Sequence, residues 1–335
     1  MNTLTKSATV IAQIMLRIGA TTYREDAYKW ASGMMMHIYN DNRMLLCNRE
    51  YRKKVTNGFC ELIEKNGIQR FEYILGTSTA GIAPAAGIAQ KLKKNLLINV
   101  DGIFYKYRQT LWDVRHSFSV FPTSVVTTTP FAIPHGVELA NSLQIGMAYI
   151  RKSAKAHGKE QQIEGNLKKG ETIVLVTCGE SDEAINQIKD TLLEKSITVI
   201  RVIDVENQGY QEVSSEILEG SIAIVIEDLF STGGSAALEV HQLREIGVVC
   251  DYCFSIFSYD FQVLRDQFSG KAEIGKTGIR LATPCNIDSI LLFDTVYNQL
   301  MKENMYTPEI RQRLHEEIKN FDANYAAFLE NTSMV

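Results

Sequence analysis

Runs of aliphatic residues alternate with amphipathic stretches along most of the chain. Ile222 to Ile226 are all Ile, Ala or Val, which is typical of a strand covered on both faces, as in parallel sheets. Phe71 to Leu75 reads as another strand, whereas Thr9 to Ile18 and Tyr51 to Asn66 have the periodicity of amphipathic helices. The alternation predicts an α/β fold with a mainly parallel sheet flanked by helices.

The last fifty residues predict a helical end to the chain. A helix is predicted from Ile287 to Glu303. A second helix should begin at Thr307, with Thr as the N-cap and Pro308 at the first helical position.

The segment Ile224 to Ala237 (IVIEDLFSTGGSAA) carries the clearest chemical signal. It joins the buried strand to a helix predicted at Ala236 to Glu245 through two carboxylates and a glycine turn. Hydroxyls and unobstructed backbone N–H groups at a helix N-terminus bind a phosphate monoester, while adjacent carboxylates accept hydrogen bonds from vicinal sugar hydroxyls. A ribose 5-phosphate satisfies both halves. The candidate site residues are Glu227, Asp228, Leu229, Phe230, Ser231, Thr232, Gly233, Gly234 and Ser235.

At these residues the chain resembles the phosphoribosyltransferase family, and other segments resemble its orotate phosphoribosyltransferases. Tyr149 to Gly165 (YIRKSAKAHGKEQQIEG) is similar to their mobile catalytic loop, and Trp30 to Arg43 is similar to their N-terminal substrate segment. Gly76 to Ala89 matches a diphosphate loop with its helix, and Ser255 to Phe261 matches the strand after the ribose-phosphate helix. The matches occur in the family's order and cover most of the chain.

The resemblance implies transfer of a ribosyl 5-phosphate from 5-phosphoribosyl 1-diphosphate to orotate, giving orotidine 5'-monophosphate and diphosphate. Mg2+ is expected as the cofactor, bound mainly through the substrate diphosphate. Ser231 would contact orotate, and a homodimer is implied. The implied catalytic residues are Lys155, His157, Arg151, Lys152 and Asp228. The implied diphosphate loop is Gly76, Thr77, Ser78, Thr79, Ala80 and Gly81.

Composition agrees with a cytoplasmic enzyme. The 335 residues are 45% hydrophobic with a formal net charge of -4, which indicates neither a nucleic-acid surface nor a membrane protein. Cys250 and Cys253 fall in a probable strand, Val248 to Phe257, where a spacing of three predicts opposite faces. We interpret them as buried thiols and not as a redox pair or zinc ligands.

The chain is long for this family, and the excess looks like two strand-helix units at about 93–138 and 171–218. Thr127 to Arg151 can be laid on Gly76 to Val100 without a gap, and Lys169 to Asp204 on Glu219 to Phe254. Internal duplication and independent similarity of α/β units both explain these overlays. We predict one phosphoribosyltransferase-like domain, 1–335, with a substrate (hood) segment at 1–50 and C-terminal helices at 287–335.

The duplicate segments differ in chemistry. The earlier ribose-phosphate copy lacks the Glu-Asp couple and the glycines of the later one, and Glu180, Asp182 and Glu183 would repel a phosphate, so we assign the phosphate to Glu227 to Ser235. Pro130 and Phe131 remove a donor and add bulk in the later loop copy, which favours Gly76 to Gly81 for the diphosphate. The later copy stays open as the alternative, because it runs directly into the segment that resembles the catalytic loop.

One position departs from the family pattern. Where the family has Lys, this chain has Met35, and His37 could replace the cation only in part. Arg43 keeps the pattern and serves either structure or binding. Two alternatives therefore stay open: a phosphoribosyltransferase for another base, and a catalytically impaired regulatory protein that binds 5-phosphoribosyl 1-diphosphate.

Overall fold

The computed structural model describes residues 6–30, 32–107, 118, 120–150, 163–206, 209–270 and 281–332. Helices and strands alternate along them, with a 3-10 helix at Asn42–Cys47. The helices are α1 (Ala8–Arg17), α2 (Arg49–Lys65), α3 (Ile82–Leu92), α4 (Ala132–Leu143), α5 (Asp182–Glu194), α6 (Ser215–Leu218), α7 (Gly234–Glu245), α8 (Gln262–Phe268), α9 (Phe293–Lys302), α10 (Pro308–Lys319) and α11 (Phe321–Thr332). The strands are β1 (Thr21–Lys29), β2 (Met35–Asn40), β3 (Tyr73–Gly76), β4 (Asn95–Val100), β5 (Ile103–Tyr107), β6 (Ser124–Thr127), β7 (Gly146–Ile150), β8 (Ile163–Glu164), β9 (Thr172–Thr177), β10 (Thr198–Asp204), β11 (Tyr210–Glu212), β12 (Ile222–Phe230), β13 (Val249–Ser258) and β14 (Asn286–Leu292).

The larger sheet has seven strands in the order β11-β5-β4-β3-β12-β13-β14. Its central strands β4, β3, β12, β13 and β14 run parallel, and β5 and β11 are antiparallel to their neighbours. All four residues of β3 are buried, because helices cover both faces of the sheet. β3 and β12 are therefore adjacent at the centre, and their carboxyl ends meet at one edge.

A second sheet has five strands in the order β10-β9-β6-β7-β8. Its strands are parallel except for the short β8, which forms an antiparallel hairpin with β7. Helix α3 packs on the first sheet and α4 on the second, and the two helices pack against each other. This helix pair joins the two sheets.

The N-terminal hairpin β1-β2 forms a separate two-stranded sheet beside the carboxyl edge of the larger sheet. Trp30 anchors it, because its indole N–H donates to the Ile38 carbonyl oxygen at 3.0 Å and its ring packs on Tyr259 and Phe321. The hairpin is thereby fixed between β13 and the C-terminal helices.

The C-terminal prediction was partly wrong. Residues 286–292 form strand β14 at the edge of the larger sheet, and the helix starts only at Phe293. Pairing with β13 overrides the helical periodicity of this short apolar segment. The next helix begins as predicted, since the Thr307 hydroxyl accepts the Ile310 N–H and Pro308 stands in the first turn.

Cys250 and Cys253 are free and buried, as predicted, but they do not lie on opposite faces. Both belong to one apolar cluster between the larger sheet and α7. The pairing of β12 with β13 shifts between Ile222 and Ile224, and this β-bulge places one extra residue on β13. The extra residue returns both thiols to the same side.

The α/β fold class with mostly parallel strands flanked by helices is confirmed. The strands lie in two larger sheets, whereas the sequence pattern suggested one. The unit proposed at about 93–138 includes β4 and β5 of the first sheet and β6 of the second, so its bounds do not follow the sheets. Among the described residues, no helix is both long and apolar enough to cross a membrane.

Candidate phosphoribosyl site

The two motifs assigned to ribose phosphate and diphosphate meet at the carboxyl edge of the larger sheet. Ile226 on β12 is in register with Gly76 on β3. The Thr77 backbone N–H donates to the Ile226 carbonyl oxygen at 3.0 Å, so the loop that follows β3 starts beside Glu227. The register of two parallel strands brings the predicted loop and the acidic pair together.

Two glycines allow the loop after β3 to fold this tightly. A Cβ on Gly81 would lie 2.3 Å from the Ile226 carbonyl oxygen and 2.4 Å from Thr77 Oγ1. A Cβ on Gly76 would lie 2.6 Å from the Gly81 carbonyl oxygen. Side chains at these positions cannot be accommodated without moving backbone atoms. Within the loop the Ser78–Thr79 peptide bond is cis.

Ser78 links the loop to a polar group behind it. The Ser78 hydroxyl donates to the Asn99 carbonyl oxygen at 2.7 Å. The Asn99 side-chain amide in turn donates to Glu239 Oε2 at 2.7 Å and to Gln242 Oε1 at 2.6 Å. Helix α7 therefore supports the loop through Asn99. Sequence reasoning missed these three residues, because they come from separate elements and form no local motif.

Glu227 is buried and Asp228 is half-buried at the end of β12. Burial, with the adjacent Asp228 charge as a further cause, holds the pKa of the Glu227 carboxyl well above its usual range. The Ser235 hydroxyl donates to Glu227 Oε2 at 3.2 Å, and this contact ties the acidic pair to the start of α7. The pair and the helix N-terminus thus form one site.

The N-terminus of α7 is open to a ligand. Gly233 is its N-cap with φ +81°, in the left-handed region that favours glycine, and no side chain caps the helix. A Cβ on Gly234 would meet nothing within 4 Å. The first N–H groups of the helix and the hydroxyls of Ser231 and Thr232 can therefore receive a phosphate.

The remaining residues of this motif have different environments. Phe230 is 1% exposed and packs against Phe268, so its side chain is part of the core and only its backbone borders the site. Leu229 is partly buried against the main core.

At the corresponding edge of the second sheet, side chains cap the helix N-terminus and aromatic rings pack around Phe131. Helix α5 is capped by Ser181, and Asp182 and Glu183 occupy its first turn. Phe131 stacks edge-on against Tyr105 and Tyr210, with ring centroids 4.9 and 5.0 Å apart. These contacts agree with placing ribose phosphate at Glu227 to Ser235 and diphosphate at Gly76 to Gly81, an assignment that stays a prediction.

Asn42 is a further residue of the site. Its side-chain amide donates to the Asp228 carbonyl oxygen at 2.6 Å, which fixes the N-terminal segment to the acidic pair. Asn42 lies inside the Trp30 to Arg43 match, but the sequence did not single it out.

Arg43 has a structural environment. Its guanidinium is 6% exposed and forms ion pairs with Asp41 at 2.6 Å and Glu164 at 2.7 Å. The two carboxylates raise the pKa of Arg43 against the opposing effect of burial. Arg43 thus ties the N-terminal segment to β8 of the second sheet.

His37 is paired away from the site. Its Nδ1 lies 3.0 Å from Glu317 Oε1, and its backbone N–H donates to the same carboxylate. Met35, in contrast, is 54% exposed at the start of β2. His37 therefore does not stand in for the missing family lysine in this arrangement. Arg151, Lys152, Lys155 and His157 lie outside the described residues.

A cavity of about 420 Å³ opens beside this site. Asp228 and Ala80 are among its lining residues, and α2, α3 and α4 form much of its wall. Within the described part of the chain, no group of three or more His, Cys, Asp or Glu could hold a metal ion.

Glu239 should make the stability depend on pH. Burial raises its pKa to about 7, and the Asn99 hydrogen bond opposes this only in part. Since the pKa in the unfolded chain is near 4.5, the contribution to stability is fully present below pH 4.5 and is lost as the pH rises through 7. We expect Glu239→Gln to flatten the stability profile across this window and to be more stable than the wild type at pH 8, by no more than about 3 kcal/mol.

Urea unfolding at several pH values measures this effect. Glu245→Gln is the matched control on the same helix, because Glu245 is 70% exposed. If the free energy of unfolding changed with pH in parallel for the wild type and Glu239→Gln, the pKa of Glu239 would not be raised in the folded protein.

The chain is similar to curated proteins that share one name. A protein named orotate phosphoribosyltransferase from Coxiella burnetii is 27% identical over 263 residues, which is 78% of this chain and 77% of the relative. One of the same name from Cytophaga hutchinsonii is 26% identical over 295 residues, 88% of this chain and 89% of the relative. The solved Leishmania donovani UMP synthase is 14% identical with a TM-score of 0.47, covering 93% of this chain and 42% of that one. No family model matches the chain. The predicted resemblance to orotate phosphoribosyltransferases is thus confirmed in curated relatives that align with 78% of the chain or more.

Proposed function

We propose that the protein is an orotate phosphoribosyltransferase, which transfers the ribosyl 5-phosphate of 5-phosphoribosyl 1-diphosphate to orotate and releases diphosphate. The observation that carries this proposal is the meeting of the acidic pair, the open α7 N-terminus and the two-glycine loop at one sheet edge. The names of the relatives supply the acceptor base.

Each part of the edge has a role in the proposed reaction. The N–H groups at the start of α7, with Ser231 to Ser235, bind the 5'-phosphate. Glu227 and Asp228 accept hydrogen bonds from the ribose hydroxyls. The backbone of Gly76 to Gly81 holds the diphosphate, whose negative charge grows as the bond to ribose breaks. These assignments give each half of the donor substrate a separate element.

Mg2+ fits this donor set as a substrate-bound ion. The edge presents two adjacent carboxylates and no larger cluster of ligands among the described residues, so diphosphate oxygens would supply most of the coordination. When bound, the ion would neutralise part of the diphosphate charge.

The proposed catalytic cations are Arg151, Lys152, Lys155 and His157, which follow β7 in the sequence. They would balance the charge on the departing diphosphate. A homodimer, which the resemblance implies, and a cytoplasmic location, which the composition suggests, stay predictions.

The direct test is orotate consumption followed by ultraviolet absorbance with 5-phosphoribosyl 1-diphosphate and Mg2+. We expect turnover that depends on all three components. If orotate is inert but adenine or another base is consumed, the site is a phosphoribosyltransferase site with a different acceptor. If the donor binds by calorimetry and no base reacts, the regulatory alternative is favoured.

Met35→Lys should raise the catalytic efficiency of ribosyl transfer. Because Met35 is 54% exposed, Met35→Lys should change the stability by less than about 0.5 kcal/mol. A cation near the growing charge should raise kcat/KM for the diphosphate donor, by up to about tenfold. Steady-state kinetics measures this, with Met301→Lys as control, since Met301 is 44% exposed on α9. Equal kinetics for both variants would show that position 35 does not face the substrates.

A further inference from the structure

The second sheet repeats the strand order of the first. In the larger sheet the order β5-β4-β3-β12-β13 runs from an antiparallel hairpin through the two motif strands to the next parallel strand. In the smaller sheet β8-β7-β6-β9-β10 has the same sequence of directions. Two independent α/β units have no reason to share both order and direction across five strands.

The gap-free sequence overlay coincides with the element bounds. Pairing Thr77 with Thr128 places β3 on β6 and α3 on α4. The residues that end these helices, Lys93 and Gln144, then coincide, and both are left-handed with φ of 54° and 62°. The sequence overlay, the similar lengths of α3 and α4 and the matching conformation at their ends therefore all support an internal duplication.

The second half of the overlay behaves in the same way. Pairing Gly170 with Gly220 places β9 on the first part of β12, and α5 on α7 with a shift of about half a turn at its start. Both glycines have positive φ, 88° and 73°. Residues 124–204 are thus a second core inserted into the first.

The two cores face each other through equivalent helices. Asn141 on α4 is the overlay partner of Gln90 on α3, and its side-chain amide donates to Gln90 Oε1 at 3.2 Å. Ala86 and Val137, another overlay pair, line the same cavity of about 250 Å³. Contact between equivalent residues is the mark of a two-fold axis, as in a dimer of identical subunits.

Buried polar contacts fix the second core in this position. Arg52 on α2 is 7% exposed and donates to Asn141 Oδ1 at 3.0 Å and to the Ile145 carbonyl oxygen at 2.8 Å. The face of α3 that a second copy of the chain would need for the same contact is already covered.

The cores retain different parts of the proposed site. Among the described residues of the two cores, the acidic pair and the open helix N-terminus belong to the first core. Its β4-β5 hairpin, however, is closed by Asp101 and Gly102 alone, since Val100 pairs with Ile103. The equivalent β7-β8 hairpin pairs Ile150 with Ile163, and the proposed cations fall between them in the sequence, outside the described residues.

We propose that residues 124–204 are a built-in partner core, which supports the single phosphoribosyl site of the same chain through Glu164, and that the chain is a monomer in place of the homodimer that the resemblance implies. The ion pair of Glu164 with Arg43 lies one residue from Asn42, which contacts Asp228. The base of the β7-β8 hairpin is therefore tied to the site of the same chain. This inference rests on the proposed function for its catalytic part.

Mass and complementation test it together. Light scattering should give the monomer mass of 37.7 kDa at assay concentrations. Asp228→Asn and Glu164→Gln should each lower kcat/KM, and co-expressing the two variants should restore no activity beyond their average, because Glu164 supports the site of its own chain.

A dimer whose co-expressed variants regain activity would overturn the proposal, since Glu164 would then act across chains. A dimer without recovery would overturn the monomeric state as well. If the wild type turns over no orotate, the proposed function fails, and the mass alone decides between a monomer and a dimer.

Discussion

Asp228→Asn is expected to lower kcat/KM for ribosyl transfer by about a hundredfold or more without unfolding the protein. Asp228 ends β12 at the point where β3 and β12 present their loops, and the substitution removes charge while keeping size. The ribose hydroxyls would lose an ionised acceptor as positive charge develops on the sugar.

Stability should not fall in this variant. The Asp228 charge is one cause of the raised pKa of buried Glu227, so its removal relieves repulsion inside the fold. Thermal unfolding measured beside the kinetics separates a catalytic defect from a folding defect.

Asp251→Asn is the matched control on the neighbouring strand. Asp251 lies near the start of β13, away from the carboxyl edge, and its side chain is 59% exposed. Wild-type activity in the control with a large loss at Asp228 supports the site. Activity of Asp228→Asn within about threefold of wild type would remove Asp228 from the mechanism, because such a change is under about 1 kcal/mol.

Gly81→Ala should be the second severe variant. The new methyl group would lie 2.3 Å from a backbone oxygen of β12 and 2.4 Å from Thr77 Oγ1, so the loop after β3 must move. We expect the free energy of unfolding to fall by about 1–3 kcal/mol because of overpacking. We expect the free energy of donor binding to fall by more than this. The loop that holds the diphosphate would be displaced from the acidic pair.

Gly220→Ala separates the close approach from the loss of a glycine. Gly220 has φ +73° but a Cβ there would meet nothing within 4 Å. Gly220→Ala should lower the free energy of unfolding by about 1–2 kcal/mol through backbone strain and leave the kinetics unchanged. Calorimetric binding of the donor, with unfolding curves for both variants, gives the comparison. Normal donor affinity in Gly81→Ala would place the diphosphate elsewhere.

The sequence alone predicted the α/β class, the ribose-phosphate motif and the helix start at Thr307. These features can be recognised from neighbouring residues alone, because an apolar run that ends in two carboxylates and a glycine turn needs no distant residue to be identified. The predicted loop at Gly76 to Gly81 is local in the same sense, although its place beside Glu227 follows from the pairing of β3 with β12.

Only the tertiary structure decided how the strands divide into two sheets and which side chains meet. Glu317 pairs with His37 across the length of the chain, and Glu164 pairs with Arg43. The bulge on β13 that turns Cys250 and Cys253 to one side depends on its pairing with β12. Strand partners, register and buried ion pairs are set by which surfaces pack together, and residues far apart in sequence share no periodic signal that would reveal this.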